Sequence, residues 1–298
     1  MAEKTDRPQL EVASPVTPHA TLPNHVRDSF HVSPQAQPQQ LGAAWDYGWL
    51  LETVVLIQVS QPDRAAWSSR LRENLQVPGV RIVRPVRSTD GRFINAGWRA
   101  SHYVAGNLAA RVDETVAAAL RLDTALATVP IPDIFNQGVD QQDVFAVADK
   151  AAWRDEHDIV VLDSAIPAHD MVATILPKVR DLLRPFVEKL AMQVTHADML
   201  ATTIYAGTQP PTVTDIVGVA HPHGYTAAQT IVDALIMGAT DARVIDRFHH
   251  IPELPQLLLR GLLYRLYVHA LHPQATSNTG TNLEWAAQTI VSRVRGTI

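Results

Sequence analysis

His196-Ala197-Asp198 and Thr214-Asp215-Ile216, the second motif beginning sixteen residues after Asp198, are the residues whose types and spacing can do chemistry. Each aspartate follows a short apolar run that reads as a strand, residues 190–194 ahead of the first and 211–214 ahead of the second. Two acids carried to strand ends in this way can serve a phosphate–metal centre. One takes a proton from a hydroxyl and the other holds Mg²⁺. Such a centre works by positioning and by neutralising charge, so it also needs cations and backbone amides close to the phosphates.

The elements that must position these acids fall into two textures. Residues 1–24 are rich in Pro, Thr, Ser and charge, lack an apolar period and read as a disordered tail. From residue 25 to 97 the chain reads as a small β-rich lobe. Trp49-Leu50 and Val54-Val55-Leu56-Ile57 are strands around Glu52-Thr53, residues 80–86 alternate in places, and Asp90-Gly91 supplies a tight turn before Phe93-Ile94. One helix, residues 63–75, is inserted there, capped by Asp63 and with arginines on its outer positions. After Gly97 the period becomes helical, so residues 98–298 read as a larger helical lobe. Its helices are expected from Val112 to Leu126, capped by Asp113, from Val172 to Leu190 with kinks at Pro177 and Pro185, from Thr226 to Gly238, and over 255–271 and 283–294. Residues 144–153 suggest another helix and 159–162 a short apolar run.

Composition narrows the classes. An apolar share of 46% over 298 residues is ample for a core. A net charge of −5 argues against a nucleic-acid polymer as partner. No cysteine is present, which excludes disulfides and thiolate metal sites. The charged N-terminus does not read as a signal peptide, and Arg260 and Arg265 interrupt the most apolar stretch, 254–271, so no membrane span is expected. The reading is a cytoplasmic protein.

The segment from His196 to Tyr205 resembles the His-x-Asp-x-x-x-x-Asn catalytic loop of the aminoglycoside phosphotransferase group of the protein-kinase-like superfamily. Thr214-Asp215-Ile216 falls where that family has its metal-binding motif, and His221-Pro222 with the helix carrying Asp233 resembles the stretch beyond it. The texture is closest to actinobacterial kinase-like proteins of unassigned function. The resemblance implies an α+β, bilobal kinase-like fold with ATP and Mg²⁺ as cofactors. It makes Asp198 the base, His196 a structural member of the loop and Asp215 the main Mg²⁺ ligand.

The same resemblance exposes departures. The second metal ligand, an Asn in the family, falls on Thr203. The phosphate-pairing lysine of the third strand falls near Gln58, a neutral amide, and residues 25–97 contain no lysine at all. The glycine-rich loop is reduced to Gly42 and Gly48 around Ala43-Ala44-Trp45-Asp46-Tyr47. Glu73, without that lysine, reads as an exposed helix charge, and Arg64 and Arg84 read as solvated. Removing one transition-state donor costs on the order of 10²–10³ in rate. The expected function is therefore a degenerate kinase-like protein, a pseudokinase, that retains a cleft for nucleotide or a small phosphorylated ligand. The alternatives are a slow or atypical ATP-dependent small-molecule phosphotransferase and a protein-interaction module without nucleotide.

Two further readings come from composition. His221-Pro222-His223 with His196, Asp198 and Asp215 could ligate zinc. Trp45, Trp49, Trp67, Trp98 and Trp153 could form an interaction surface, although aromatics there are more often core. The arginines from Arg243 onward make the end of the helical lobe non-acidic, which argues against aminoglycosides as substrates.

Overall fold

The computed structural model describes residues 22–135, 143–154, 169–187, 190–273 and 275–296. Of the expected tail, residues 22–24 fall within these ranges, and Asn24 already opens a helix, α1 (Asn24–Ser29). A sheet follows, from β1 (Gln39–Gln40), β2 (Trp49–Leu51), β3 (Val54–Gln58) and, after α2 (Pro62–Asn74), β4 (Arg81–Ile82), β5 (Pro85–Val86), β6 (Ile94–Asn95) and β7 (Trp98–His102). Its order is β1-β2-β3-β7-β5, with β6 also on β7 and β4 outside it.

Residue alternation sets the two faces of this sheet. Leu51, Leu56, Trp98 and Ala100 pack against Val26 and Phe30 of the α1 region. Val55 and Ile57 point the other way, onto Trp45, Val83 and Ile204. β7 corrects the sequence reading, because the helical period does not begin at Gly97. Trp98, Arg99, Ala100 and Ser101 are all buried, so the strand shows no alternation that would reveal it. Residues 80–86 also divide. β5 starts at Pro85 on an edge, where a missing N–H costs no ladder bond, while β4 leaves to pair in parallel with β10 (Thr212–Val213).

Neither expected helix cap holds. Gln61 sits at the N-cap of α2 and Arg111 at that of α3 (Val112–Leu126), both without a side-chain cap bond. Pro62 takes the first helical position of α2, which suits its fixed φ. Asp63 and Asp113 lie inside the first turns, where they act through charge.

The helical part continues with α4 (Val144–Ala152), α5 (His169–Arg180), β8 (Met192–His196), α6 (Met199–Thr202), β9 (Thr203–Ile204), β10, β11 (Gly218–Pro222), α7 (Tyr225–Ile236), α8 (Arg243–Arg247), α9 (Leu254–Leu271) and α10 (Ser277–Arg295). α9 is apolar almost all round because it is central, packing against α4, α5, α7 and α10. Among the described residues no helix is long and apolar enough to cross a membrane. The helix expected to run to Leu190 ends at Arg180, with Pro177 inside it. The apolar run at 159–162 lies outside the described residues.

Two strands of this part escaped the sequence reading, β9 and β11. β11 is the one that matters for the site. β8 pairs antiparallel with it, Gly218 opposite His196, so the chain leaves β8 toward Asp198 at the end where it arrives from Asp215. Ala197 N–H donates to Val217 O at 2.9 Å and closes that end. The hairpin brings the two acids together.

Candidate functional site

His196 is fully buried and holds the acid-bearing loops in place. Val217 N–H donates to its Nδ1 at 2.9 Å, which puts the ring proton on Nε2, 2.8 Å from Thr202 Oγ1. Thr202 Oγ1 in turn donates to Asp198 O at 2.7 Å. Burial pushes the imidazole pKa down to about 4, so the ring is neutral and the relay intact at neutral pH. Behind it, His196 N–H donates to Thr226 Oγ1 at 2.9 Å, and Thr226 donates to the buried Asp123. Asp123 also accepts from Gly224 N–H at 2.9 Å, and burial raises its pKa to about 7.

Asp215 is enclosed by cations. Arg99 Nη1 of β7 lies 2.6 Å from Oδ2, and Arg72 Nε of α2 lies 3.2 Å from Oδ1. Ser68 Oγ donates to Oδ1 at 2.7 Å. Burial opposes ionisation, but Arg99 and Arg72 outweigh it and hold this carboxyl well below the usual carboxylate range. Arg72 itself is wholly buried, and its Nη1 donates to Val83 O, Ser101 Oγ and Thr214 O at 2.9, 3.3 and 3.2 Å. Burial lowers its pKa to about 10, still charged at neutral pH. The arginines expected on the outer face of α2 thus include one that is central to the core.

Asp198 stands in a different setting. Its side chain is 40% exposed, and its nearest cation, Arg265, is 3.8 Å away. Arg265 is committed elsewhere, donating from Nε and Nη2 to Asp233 at 2.6 Å each, while Gln229 adds a bond to Asp233 at 2.9 Å. Despite the partial exposure, the protein packed around the Asp198 carboxyl pushes its pKa up to about 6. Arg265 opposes this, and Asp233, Asp46 and Asp215 reinforce it.

Asp198 and Arg265 lie between two cavities. One, of about 430 Å³, extends past Asp215 to Gln58 at the end of β3, to Arg64 and Trp67 on α2 and to Asp149 on α4. The other, of about 360 Å³, opens between α7, α9 and α10. The first brings Gln58, Asp198 and Asp215 together, while Gly42, Gly48 and Thr203 lie off its walls. Gly42 is exposed with open space beside it, whereas a Cβ at Gly48 would meet Ile57 Cγ1 at 2.6 Å and Leu56 O at 2.8 Å. Gly48 therefore serves a close crossing of strands.

The loop between these glycines folds inward. Thr214 Oγ1 donates to Ala44 O at 2.6 Å, and Trp45 is 5% exposed, its ring 5.5 Å from Tyr103 and packed with Val55, Ile57 and Ile204. The crevice between the inner sheet face and the loops after β8 is thus filled by an indole.

The residues present do not fit Mg²⁺. Both Asp215 oxygens are taken by Arg99, Arg72 and Ser68, and the buried Thr203 hydroxyl donates to Met199 O at 2.7 Å. Among the described residues no three His, Cys, Asp or Glu side chains form a group that could hold a metal ion. His221 is turned to Asp149 at 2.7 Å and stacks on Trp153 at 4.0 Å. The tryptophans are largely core: Trp45 and Trp98 are buried, and Trp67 packs on Phe135 at 4.8 Å. Glu73 lies on the outside of α2, paired with Arg87 at 2.8 Å.

Sequence reasoning missed Arg72, Arg99, Ser68 and Arg265. Ser68, Ser69 and Arg72 together offered one signal, as small and long polar residues recurring at i and i+4 on one helix face. Gly218 carried another, since its missing side chain admits Trp67.

No family model matches the chain, and no curated protein matches it in sequence. Solved structures do match in three dimensions. A microcompartment-associated aminopropanol kinase superposes with a TM-score of 0.59 at 14% identity, covering 92% of this chain and 96% of its own. An AMP-bound spectinomycin phosphotransferase gives 0.57 at 9%, covering 89% and 96%. An aminoglycoside 2'-phosphotransferase in complex with GDP gives 0.51 at 12%, covering 88% and 95%. The chain has the α+β, kinase-like fold of the aminoglycoside phosphotransferases, as the resemblance of its two acidic motifs implied.

Proposed function

We propose that this protein is a pseudokinase, a kinase-fold protein that binds a small molecule in its inter-lobe cavity without transferring phosphate from Mg²⁺–ATP. The capture of Asp215 by Arg99, Arg72 and Ser68 carries this reading. A carboxylate whose charge is already balanced by two guanidiniums is a poor recruiter of a divalent cation. The Trp45 plug and the absence of lysine from residues 25–97 point the same way. The cavity walls add five carboxylates, Asp46, Asp143, Asp149, Asp198 and Asp215, against three guanidiniums, Arg64, Arg99 and Arg265, a balance that repels a triphosphate. Arg64 remains as a contact for a singly phosphorylated ligand. It stacks on Phe135 and donates to Gly218 O, without a carboxylate in ion-pair range among the described residues.

A second reading, a slow phosphotransferase, is supported by Asp198. Its carboxyl is open to both cavities, and a pKa near 6 is serviceable for a general base. The nucleotides bound to the solved neighbours, AMP and GDP among them, name the ligands to try first. A thermal-shift titration with ATP and ADP, with and without Mg²⁺, decides between them. A nucleotide at about 100 times its Kd adds about 2.7 kcal/mol and several degrees of Tm. The pseudokinase reading expects no Mg²⁺-dependent shift at millimolar nucleotide. A shift together with ATP consumption that Asp198→Asn abolishes would establish the second reading instead.

A further inference from the structure

Behind the loop that carries Asp198 runs a chain of polar groups closed off from solvent. Asp123 of α3, Thr226 at the start of α7 and His196 at the end of β8 are each fully buried. The Asp123 carboxylate accepts from Thr226 Oγ1 on one oxygen and from Gly224 N–H at 2.9 Å on the other, and Thr226 N–H is a third donor. Thr226 Oγ1 accepts in turn from His196 N–H at 2.9 Å. The His196 ring continues the chain through Thr202 to the Asp198 carbonyl. Asp123 is thereby joined to the Asp198 backbone without touching it.

Among the described residues no cation balances this carboxylate. The elements packed on α3 are α7, β8 and α6. Their titratable side chains are Tyr225 and Asp233 on α7 and His196 on β8, while α6 has none. His223 lies in the turn before α7, His221 lies on β11 bonded to Asp149, and α3 itself carries Asp113, Glu114 and Arg121. Burial lowers the pKa of His196 and His223 and raises that of Tyr225, and Asp233 is paired with Arg265. None of these groups moves Asp123. Burial raises its pKa and its three donors lower it, to about 7. Each protonation state then has one defect. Ionised, Asp123 satisfies every donor but leaves an unbalanced charge in the core. Protonated, it sheds the charge and adds a donor. A proton on Oδ2 faces Gly224 N–H, donor against donor. A proton on Oδ1 displaces the Thr226 hydroxyl, whose oxygen must then accept from both Asp123 and His196 while its own hydrogen turns away. A buried donor without an acceptor is costly, so the two defects oppose each other.

We propose that Asp123 is a proton-operated positioning residue: through the Thr226 hydroxyl, its charge state sets how His196 and the loop bearing Asp198 are held. In the ionised state the hydroxyl points to Asp123 and leaves its oxygen open to His196 N–H. Uptake of one proton from solvent turns the hydroxyl and crowds the oxygen on which that N–H rests. The end of β8 shifts with it, and the Thr202 link carries the change to Asp198. The device goes beyond the pseudokinase reading and does not rest on it, since no ligand takes part.

The His196 amide proton is the reporter. Thr195-His196 is the only Thr-His pair in the chain, so labelling the full-length protein with carbonyl-¹³C threonine and ¹⁵N histidine singles out that amide by NMR. A titration from about pH 5 to about pH 9 should show one single-proton step in its shift, centred near pH 7. Asp123→Asn should flatten the step, and so should Thr226→Val, which keeps the side-chain shape and removes the hydroxyl. Thr226→Ser should restore it. Asp198→Asn should leave it in place, because the step belongs to Asp123. A merely structural Asp123 would alter stability in these variants and give the parent no step. If Asp123→Asn loses its circular-dichroism spectrum, Thr226→Val against Thr226→Ser carries the test. A parent without the step overturns the proposal, as does a step that survives Asp123→Asn or Thr226→Val, or one that Asp198→Asn removes.

Discussion

Asp215 and Asp198 are held at one end of the same hairpin, yet their surroundings move them in opposite directions. Asp215 lies under Arg99 and Arg72 with Ser68 on one oxygen, and its pKa falls below the usual carboxylate range. Asp198 is half open, 3.8 Å from a guanidinium already committed to Asp233, and its pKa rises to about 6. On the side facing the sheet the carboxylate is one member of a buried ion triad. The side facing the helices has kept its acid available. One half of the centre has been spent on stability while the other still offers a charge to a ligand.

The hardest way to break this comparison is Asp215→Ala, which leaves Arg72 and Arg99 buried without their counter-ion. Removing one partner of a buried pair costs about 3–5 kcal/mol, so urea unfolding should show a loss of that size. A loss below about 1 kcal/mol would mean the triad holds nothing together. Because the folded pKa lies below the ordinary value of 3.8, the Asp215 contribution is present above that value and is lost only as pH falls through the depressed one.

Trp45→Ala probes the same half from the other side of the crevice. Emptying a buried indole costs about 3 kcal/mol or somewhat more, and calorimetry should show the lowered Tm. If the variant then gains an ADP-dependent shift that the parent lacks, the plug is what separates this crevice from a nucleotide site. An unchanged Tm would show that the loop is not seated.

Asp198→Asn should have the smallest effect and the opposite sign. A raised carboxylate pKa means that the folded state binds the proton more tightly. The parent therefore loses stability relative to the variant as pH rises from about 3.8 to about 6, with no further change above. Partial exposure keeps the difference below about 1 kcal/mol. Parallel melts across that window that never diverge would place Asp198 in an environment like bulk water.

Much of the fold was legible because periodicity reports burial. The strands at Trp49 and Val54, the helix closing at Gly238 and the largely apolar helix α9 appear near their expected places. β7 was not legible, since a strand buried on both faces loses its alternation, and β11 was hidden by a Gly and a Pro at its ends. The caps expected at Asp63 and Asp113 failed for a local reason: both acids sit one step or more inside the helix, where charge at the N-terminus substitutes for a cap bond.

The sequence by itself determined which chemistry is in question. It set two acids at strand ends, a Thr at position 203, a Gln at 58 and no lysine between residues 25 and 97. It also contained Arg72 and Arg99, but as two among many arginines. Only the tertiary structure decided that these two face Asp215, because a helix and a strand separated from it by more than a hundred residues close over the same carboxylate. Charge pairing depends on distance through space, and one residue's place in the chain does not reveal which distant charge will lie within 4 Å of it.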